Sequence, residues 1–329
     1  MRSSWSTADI PNLNGMTAVV TGASNGIGLE IARGLAARGC QVVLAVRSVQ
    51  RGNAAASAIR ATSPGASLEV MVLDLADLAS VRRFADALRQ RFQRIDLLIN
   101  NAAATSDAPP RTADGFESAF GINHLGHFAL TGLLLPTMLV TPKARVVTQT
   151  SLVQGMGHID FESLCAPTGN DKLRAYAQSK LATLLFAYEF QRRLSASGAE
   201  LLSVACHPGV AATPSLLGSP DKRQHGLGAL MPALIRRFAQ SPAQGARPAL
   251  FAATSPDVCG GDLIGPGGRR SGVWGRPARV RSSDRGYDED LAQHLWQVSE
   301  SMTGVRYTFG EADSGAEAKR GLPDAVGMS

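Results

Sequence analysis

Cysteine is scarce in this chain, with four residues in 329, and no two of them form a Cys-x-x-Cys pair. The spacings of Cys40, Cys165, Cys206 and Cys259 fit no zinc pattern, so they read as reduced, mostly buried thiols of a cytosolic protein. Long apolar runs are missing too. The longest, Ala129–Val140, is too short to span a bilayer and contains Pro136. Met1–Asn14 has no apolar core, so a secretory leader is not expected and the cytoplasm is the expected compartment. Aromatics make up 5% of the chain and are sparse around its one loose basic group, Arg269, Arg270, Arg276, Arg279, Arg281 and Arg285. That group reads as a solvated loop, and a nucleic-acid partner is not expected. Lys and Arg exceed Asp and Glu by 33 to 27, a mild surplus. No Gly-x-Ser-x-Gly surrounds Ser151, which speaks against a hydrolase elbow. There is no internal repeat.

What is present is alternation. Val-, Ile- and Leu-rich runs at Thr17–Thr21, Gln41–Val46, Leu68–Asp74, Ile95–Asn100, Arg145–Thr150 and Leu201–Cys206 lack polar alternation, as strands buried on both faces do. Helical spacing fills Ile27–Arg38, Leu78–Arg91, Gly115–Leu139 and Tyr176–Ala196. The pattern predicts an α/β fold, a doubly wound parallel sheet of Rossmann type with helices on both faces, in a single domain. The expected organisation is an arm at 1–13, the domain at 14–303 and a disordered tail at 304–329. Within 211–240, Leu227, Leu230, Met231, Leu234, Ile235 and Phe238 recur at helical spacing. They fit either a helix packed on its own domain or an apolar lid, which could touch a membrane surface.

After the first strand comes Thr21-Gly22-Ala23-Ser24-Asn25-Gly26-Ile27-Gly28, at the start of a helix. Glycines there allow a tight turn and a close approach of the backbone to a pyrophosphate, while the helix start supplies free N–H groups. The end of the second strand, where an acid would bind the ribose 2′-hydroxyl of NAD, has Val46-Arg47 and no acid from Gln41 to Gln50. Arg47 can pair with a 2′-phosphate, which favours NADPH over NADH.

Tyr176 and Lys180 are four apart, so they share a helix face where the ammonium is expected to lower the pKa of the phenol. Ser151 ends the fifth strand, Asn100-Asn101-Ala102-Ala103 ends the fourth, and Asn123 follows. His124 and His127 have no acidic or cysteine partner in sequence and are read as packing residues, without a metal.

In these motifs the chain resembles the short-chain dehydrogenase/reductase superfamily, over about Leu13 to Ser301. Gly22, Gly26 and Gly28 match its glycine motif, Asp74 its adenine-contacting acid, and Asn100-Asn101-Ala102 its Asn-Asn-Ala. Asn123, Ser151, Tyr176 and Lys180 match its catalytic tetrad, and Pro208-Gly209 with Thr213 its nicotinamide-flanking motif. Thr112-Ala113-Asp114-Gly115-Phe116-Glu117, Asn123-His124-Leu125-Gly126-His127-Phe128 and His207-Pro208-Gly209-Val210 look like the retinol-dehydrogenase/protochlorophyllide-reductase-like branch. The departures are Ala103 for a glycine, Thr150 for a serine, and the lack of a basic residue at Asn25.

The resemblance implies hydride transfer between a carbonyl and an alcohol, on an apolar substrate. Tyr176 would be the acid/base, and Lys180 would tune it and hold the nicotinamide ribose. Ser151 would bind the substrate oxygen, and Asn123 would keep a relay behind Lys180. The dinucleotide is expected against Gly22, Ser24, Asn25, Gly26, Ile27, Gly28, Arg47, Asp74, Leu75, Asn101, Ala102, Ala103, Tyr176, Lys180, Pro208, Gly209, Val210 and Thr213. The alternatives are reduction of a carbon–carbon double bond and, in another class, a non-catalytic NADPH-binding regulator. The oligomeric state is open; relatives often form a homodimer through the helices carrying Asn123 and Tyr176.

Overall fold

The computed structural model of the chain describes residues 5–104, 108–165, 171–209, 240–268 and 273–309. Its strands are β1 (Thr17–Thr21), β2 (Gln41–Val46), β3 (Leu68–Val72), β4 (Leu97–Asn100), β5 (Arg145–Gln149), β6 (Leu202–Cys206), β7 (Leu263–Gly267) and β8 (Arg276–Arg279). They form one sheet in the order β3-β2-β1-β4-β5-β6-β7-β8. All neighbours pair in parallel except β8, which runs antiparallel to β7. The winding direction reverses between β1 and β4. The loops leaving those two strands diverge there, and the divergence opens a crevice at the carboxyl edge of the sheet.

The strand interiors alternate between two cores. Val20, Val42, Leu44, Ile99 and Val147 pack with Ile31 and Leu35 of α1 (Gly26–Ala36) on one face. Val19, Val43, Leu98 and Val146 pack on the other face with Phe84 and Leu88 of α3 (Leu78–Arg91). The six strands read from the sequence are β1 to β6, each within two residues of its expected bounds.

Other elements differ from expectation. The helix expected over Gly115–Leu139 is interrupted. Gly115 turns at φ +88°, a short helix α4 (Ser118–Phe120) leads into a π-helical turn at Gly121–Leu125, and α5 (Gly126–Leu139) follows. Glycine is needed at the start of α5 because a Cβ on Gly126 would lie 2.6 Å from the Leu75 carbonyl oxygen. The catalytic-helix candidate α6 (Lys172–Ser197) starts a turn earlier than read, capped by the Asp171 side chain accepting from the Arg174 amide, and ends on Gly198 at φ +73°.

The sequence reading passed over α2 (Val49–Arg60), α7 (Pro242–Thr254) and α8 (Glu289–Thr303). In α2 mainly alanine faces the core, so the apolar stripe is faint. In α7, Pro242 and Pro248 look like breakers; Pro242 stands in the first turn, where a missing N–H costs nothing.

Two boundaries also shift. Ile10 and Leu13 are buried in the first core and Trp5 packs edge-on against Phe251, so the expected arm is part of the body from residue 5. At the other end Val305 and Tyr307 are buried, and the Tyr307 hydroxyl donates to the Phe128 carbonyl at 2.6 Å. The packed chain therefore reaches 309 rather than 303. Of the cysteines, Cys40 and Cys206 are buried while Cys165 and Cys259 are exposed, so "mostly buried" holds for only two.

Candidate active site

The loop from β1 into α1 is built for close approach. Gly22 takes φ +67°, and a Cβ there would stand 3.0 Å from the backbone of Ala102. A Cβ on Gly28 would stand 2.4 Å from the Gly22 carbonyl oxygen and 2.5 Å from Asn101 Nδ2. Asn25 is the N-cap of α1 but makes no side-chain capping bond, so the first amides of the helix face the crevice without a protein partner from that cap.

The β4 loop is tied to β1 in the same region. The Asn101 and Ala102 amides each donate to Thr21 Oγ1 at 2.9 Å, and Asn101 Nδ2 donates to the Thr21 carbonyl at 2.7 Å. Ala103 carries no backbone strain, since among the described residues Lys143 is the one non-glycine with positive φ.

A cleft of about 370 Å³ runs along this edge. It is lined by Gly22, Ser24, Asn25, Gly26, Ile27, Gly28, Arg47, Asp74, Leu75, Asn101, Ala102, Ala103, Ser151, Tyr176, Lys180, Pro208 and Gly209, which the sequence had nominated. Val210, Thr213 and all of the expected lid but Gln240 lie outside the described residues. Ser48, Arg51, Gln149, Leu152 and Leu173 also line the cleft and were missed. Arg51 had a legible signal, four residues after Arg47 at the start of a helix. Gln149 had none, because its apolar neighbours Val146 and Val147 marked it simply as strand.

Lys180 is buried, and its ammonium donates to the Gln149 carbonyl at 2.9 Å while standing 5.6 Å from the centre of the Tyr176 ring. Burial pushes Lys180 down to about 8, so it remains mainly charged at neutral pH. Burial pushes the Tyr176 phenol above its usual value, and a hydrogen bond with Ser151 pulls the other way. The lowering expected from Lys180 therefore does not prevail.

Asn123 lies behind the cleft wall. Its Oδ1 accepts from the Ala104 amide at 2.7 Å, and its Nδ2 donates to Ser179 Oγ at 2.8 Å. Ser179 in turn donates to the Tyr176 carbonyl at 2.8 Å, so Asn123 braces the turn of α6 that carries the tyrosine. The two helix histidines are both engaged. His127 Nδ1 must donate to the Asn123 carbonyl (2.9 Å), which can only accept, so its Nε2 accepts from the Thr21 hydroxyl (2.9 Å). His124 Nε2 lies 2.7 Å from Ser299 Oγ. His158 is exposed.

A glycine-lined cradle beside an uncapped helix start, with an ion-bearing helix at one end, is the arrangement of a dinucleotide-dependent oxidoreductase. The chain belongs to the short chain dehydrogenase family, whose model matches residues 16–223. Retinol dehydrogenase 12 of Mus musculus is 37% identical over 293 residues, 89% of this chain and 88% of that protein. A solved protein from Mycobacterium Paratuberculosis is 40% identical with a TM-score of 0.76, covering 92% of this chain and 99% of its own. The Pseudomonas aeruginosa RhlG/NADP active-site complex is 25% identical with a TM-score of 0.60, covering 77% of this chain and 94% of its own.

Proposed function

We propose that this chain is an NADPH-dependent oxidoreductase that interconverts a carbonyl and an alcohol, with Tyr176 as proton donor and acceptor. The observation that carries the reading is the convergence of Ser151, Tyr176 and Lys180 on the cleft that also holds the glycine cradle.

The residues fit a nicotinamide dinucleotide. Gly22 and Gly28 leave room where a side chain would intrude, and the α1 amides suit a pyrophosphate. Arg47 and Arg51, at the far end of the cleft, suit a 2′-phosphate better than a bare hydroxyl. The bound dinucleotide supplies a hydride at its nicotinamide ring. The protein's own part is positioning and proton transfer. A phenol held above its ordinary pKa keeps its proton at neutral pH, the state needed to protonate a carbonyl oxygen during reduction. The Ser151 hydroxyl orients that oxygen, and the Lys180 charge offsets the phenolate left behind.

Leu152 and Leu173 are exposed and line the mouth of the cleft, which favours an apolar substrate. Because curated relatives are named retinol dehydrogenases, retinaldehyde is the first compound to try. The test is loss of NADPH absorbance with retinaldehyde and a panel of ketones, aldehydes and quinones. Equal concentrations of NADH serve as the comparison. NADPH-dependent turnover of a carbonyl is expected. A clear NADH preference would overturn the cofactor assignment, and inertness toward every carbonyl would overturn the reaction.

A further inference from the structure

Gln149 lies on β5 two residues before Ser151, and the proton-transfer scheme leaves its side chain unused. Its orientation is fixed by a chain of bonds. Asn101 Nδ2 donates to the Thr21 carbonyl, which can only accept, so Asn101 Oδ1 points the other way. The group 3.2 Å from that oxygen must be a donor, which makes it Gln149 Nε2. Gln149 Oε1 is then an acceptor, buried in a residue that lines the cleft and without a partner among the described residues. A buried acceptor with nothing to accept from is costly, and the cleft is where a donor can arrive.

We propose that Gln149 Oε1 accepts a hydrogen bond from the carboxamide NH2 of the nicotinamide ring. The inference rests on the dinucleotide reading above and deepens it. The position selects the donor. Gln149 gives its own carbonyl to Lys180 and sits beside Cys206 of β6, just before Pro208-Gly209, at the reacting end of the cleft. The adenine amine belongs at the other end, near Asp74. The nicotinamide-ribose hydroxyls belong to Tyr176 and Lys180. The carboxamide NH2 is the donor that remains.

The test compares NADP+ with its 3-acetylpyridine analogue, in which a methyl ketone replaces the amide and cannot donate. Dissociation constants are measured by titration calorimetry on the wild type and on Gln149→Met, which keeps the length and removes the acceptor. The wild type should bind NADP+ roughly tenfold more tightly than the analogue, about one net hydrogen bond. Gln149→Met should bind the two alike, chiefly through weaker binding of NADP+. A wild type with no preference, or a folded variant that keeps the full preference, overturns the contact. Failure of the wild type to bind either compound overturns the dinucleotide reading itself, and the contact with it.

Discussion

The Lys180 ammonium donates to the Gln149 carbonyl at 2.9 Å and stands 5.6 Å from the centre of the Tyr176 ring. In the proposed mechanism the lysine contributes its charge to the phenolate that forms when the proton leaves. Replacing Tyr176 by Phe removes the proton and leaves that charge in place. Carbonyl reduction should fall by about 10²–10⁴-fold, the usual contribution of a positioned acid. The dissociation constant for NADPH, followed by its fluorescence, should rise by no more than about tenfold, since the lost group contributes one hydrogen bond to the nicotinamide ribose and no phosphate contact. Unchanged turnover would refute the mechanism.

The pH profile for reduction follows from two shifts of opposite sign. Burial raises Tyr176, so the phenol stays protonated through neutral pH. Burial lowers Lys180 to about 8, so its charge disappears as pH rises through that value. The rate constant for reduction, from stopped-flow traces with saturating NADPH, should be level between pH 6 and 7.5 and decline above about 8. A rate that climbs through pH 9 would contradict the assignment of roles.

Arg47 and Arg51 share the cleft with Asp74. Arg47→Asp should weaken NADPH binding by roughly 10- to 100-fold, the range for a lost charge-assisted bond plus new repulsion, and should weaken NADH binding far less. Arg51→Ala should give a smaller loss of the same kind. If both cofactors lose affinity equally, neither arginine reads the 2′-phosphate.

Much of this site could be read from residue order, because its chemistry depends on short spacings: Tyr176 to Lys180 across one helical turn, Gly22 to Gly28 across one loop. The sheet could be read for the same reason, since strands buried on both faces are continuous apolar runs. What escaped depends on contacts distant in sequence. The close approach of Gly126 to the Leu75 carbonyl, at the start of α5, joins residues 51 positions apart. The rise of the Tyr176 phenol reflects burial under neighbours that no spacing reveals. The role of Gln149 depends on Asn101, 48 residues away. Residues 305–309 looked like tail because their burial exists only once α5 and α6 are assembled.

Three buried histidines make the fold acid-sensitive. Burial lowers His124 to about 3, and His127 and His207 to about 4, from an ordinary 6.5. Between pH 6.5 and about 4 the unfolded chain takes up protons that the native state refuses, so stability falls as pH falls through that window. The slope is about 1.4 kcal/mol per pH unit for each such histidine. Above pH 7 both states hold these rings neutral and the slope vanishes. Urea midpoints at pH 7.5, 6 and 5 measure it. His124→Phe, in a setting of Phe120, Phe128 and Phe186, should flatten the slope; an unchanged slope would exonerate His124.

A homodimer through the helices carrying Asn123 and Tyr176, the pairing that the family resemblance led one to expect, would meet this chain's own 289–309 segment packed on α5 and α6. Trp296 of α8 packs on Phe128, Phe186 and Phe190, with Arg193 over its ring at 4.5 Å. Gly132 of α5 is the point of closest approach, where a Cβ would stand 2.6 Å from the Tyr307 ring. A homodimer through that face would first have to displace a buried aromatic cluster, and Trp→Ala truncations of this kind cost about 3–5 kcal/mol. Light scattering at micromolar concentration should therefore give no dimer that depends on α5 and α6. Gly132→Ala should lower the melting temperature by forcing Tyr307 outward, and Tyr307→Phe should cost about 1 kcal/mol through the lost bond to the Phe128 carbonyl. A stable dimer whose cross-links join α5 to α5 would show that the segment yields to a second copy.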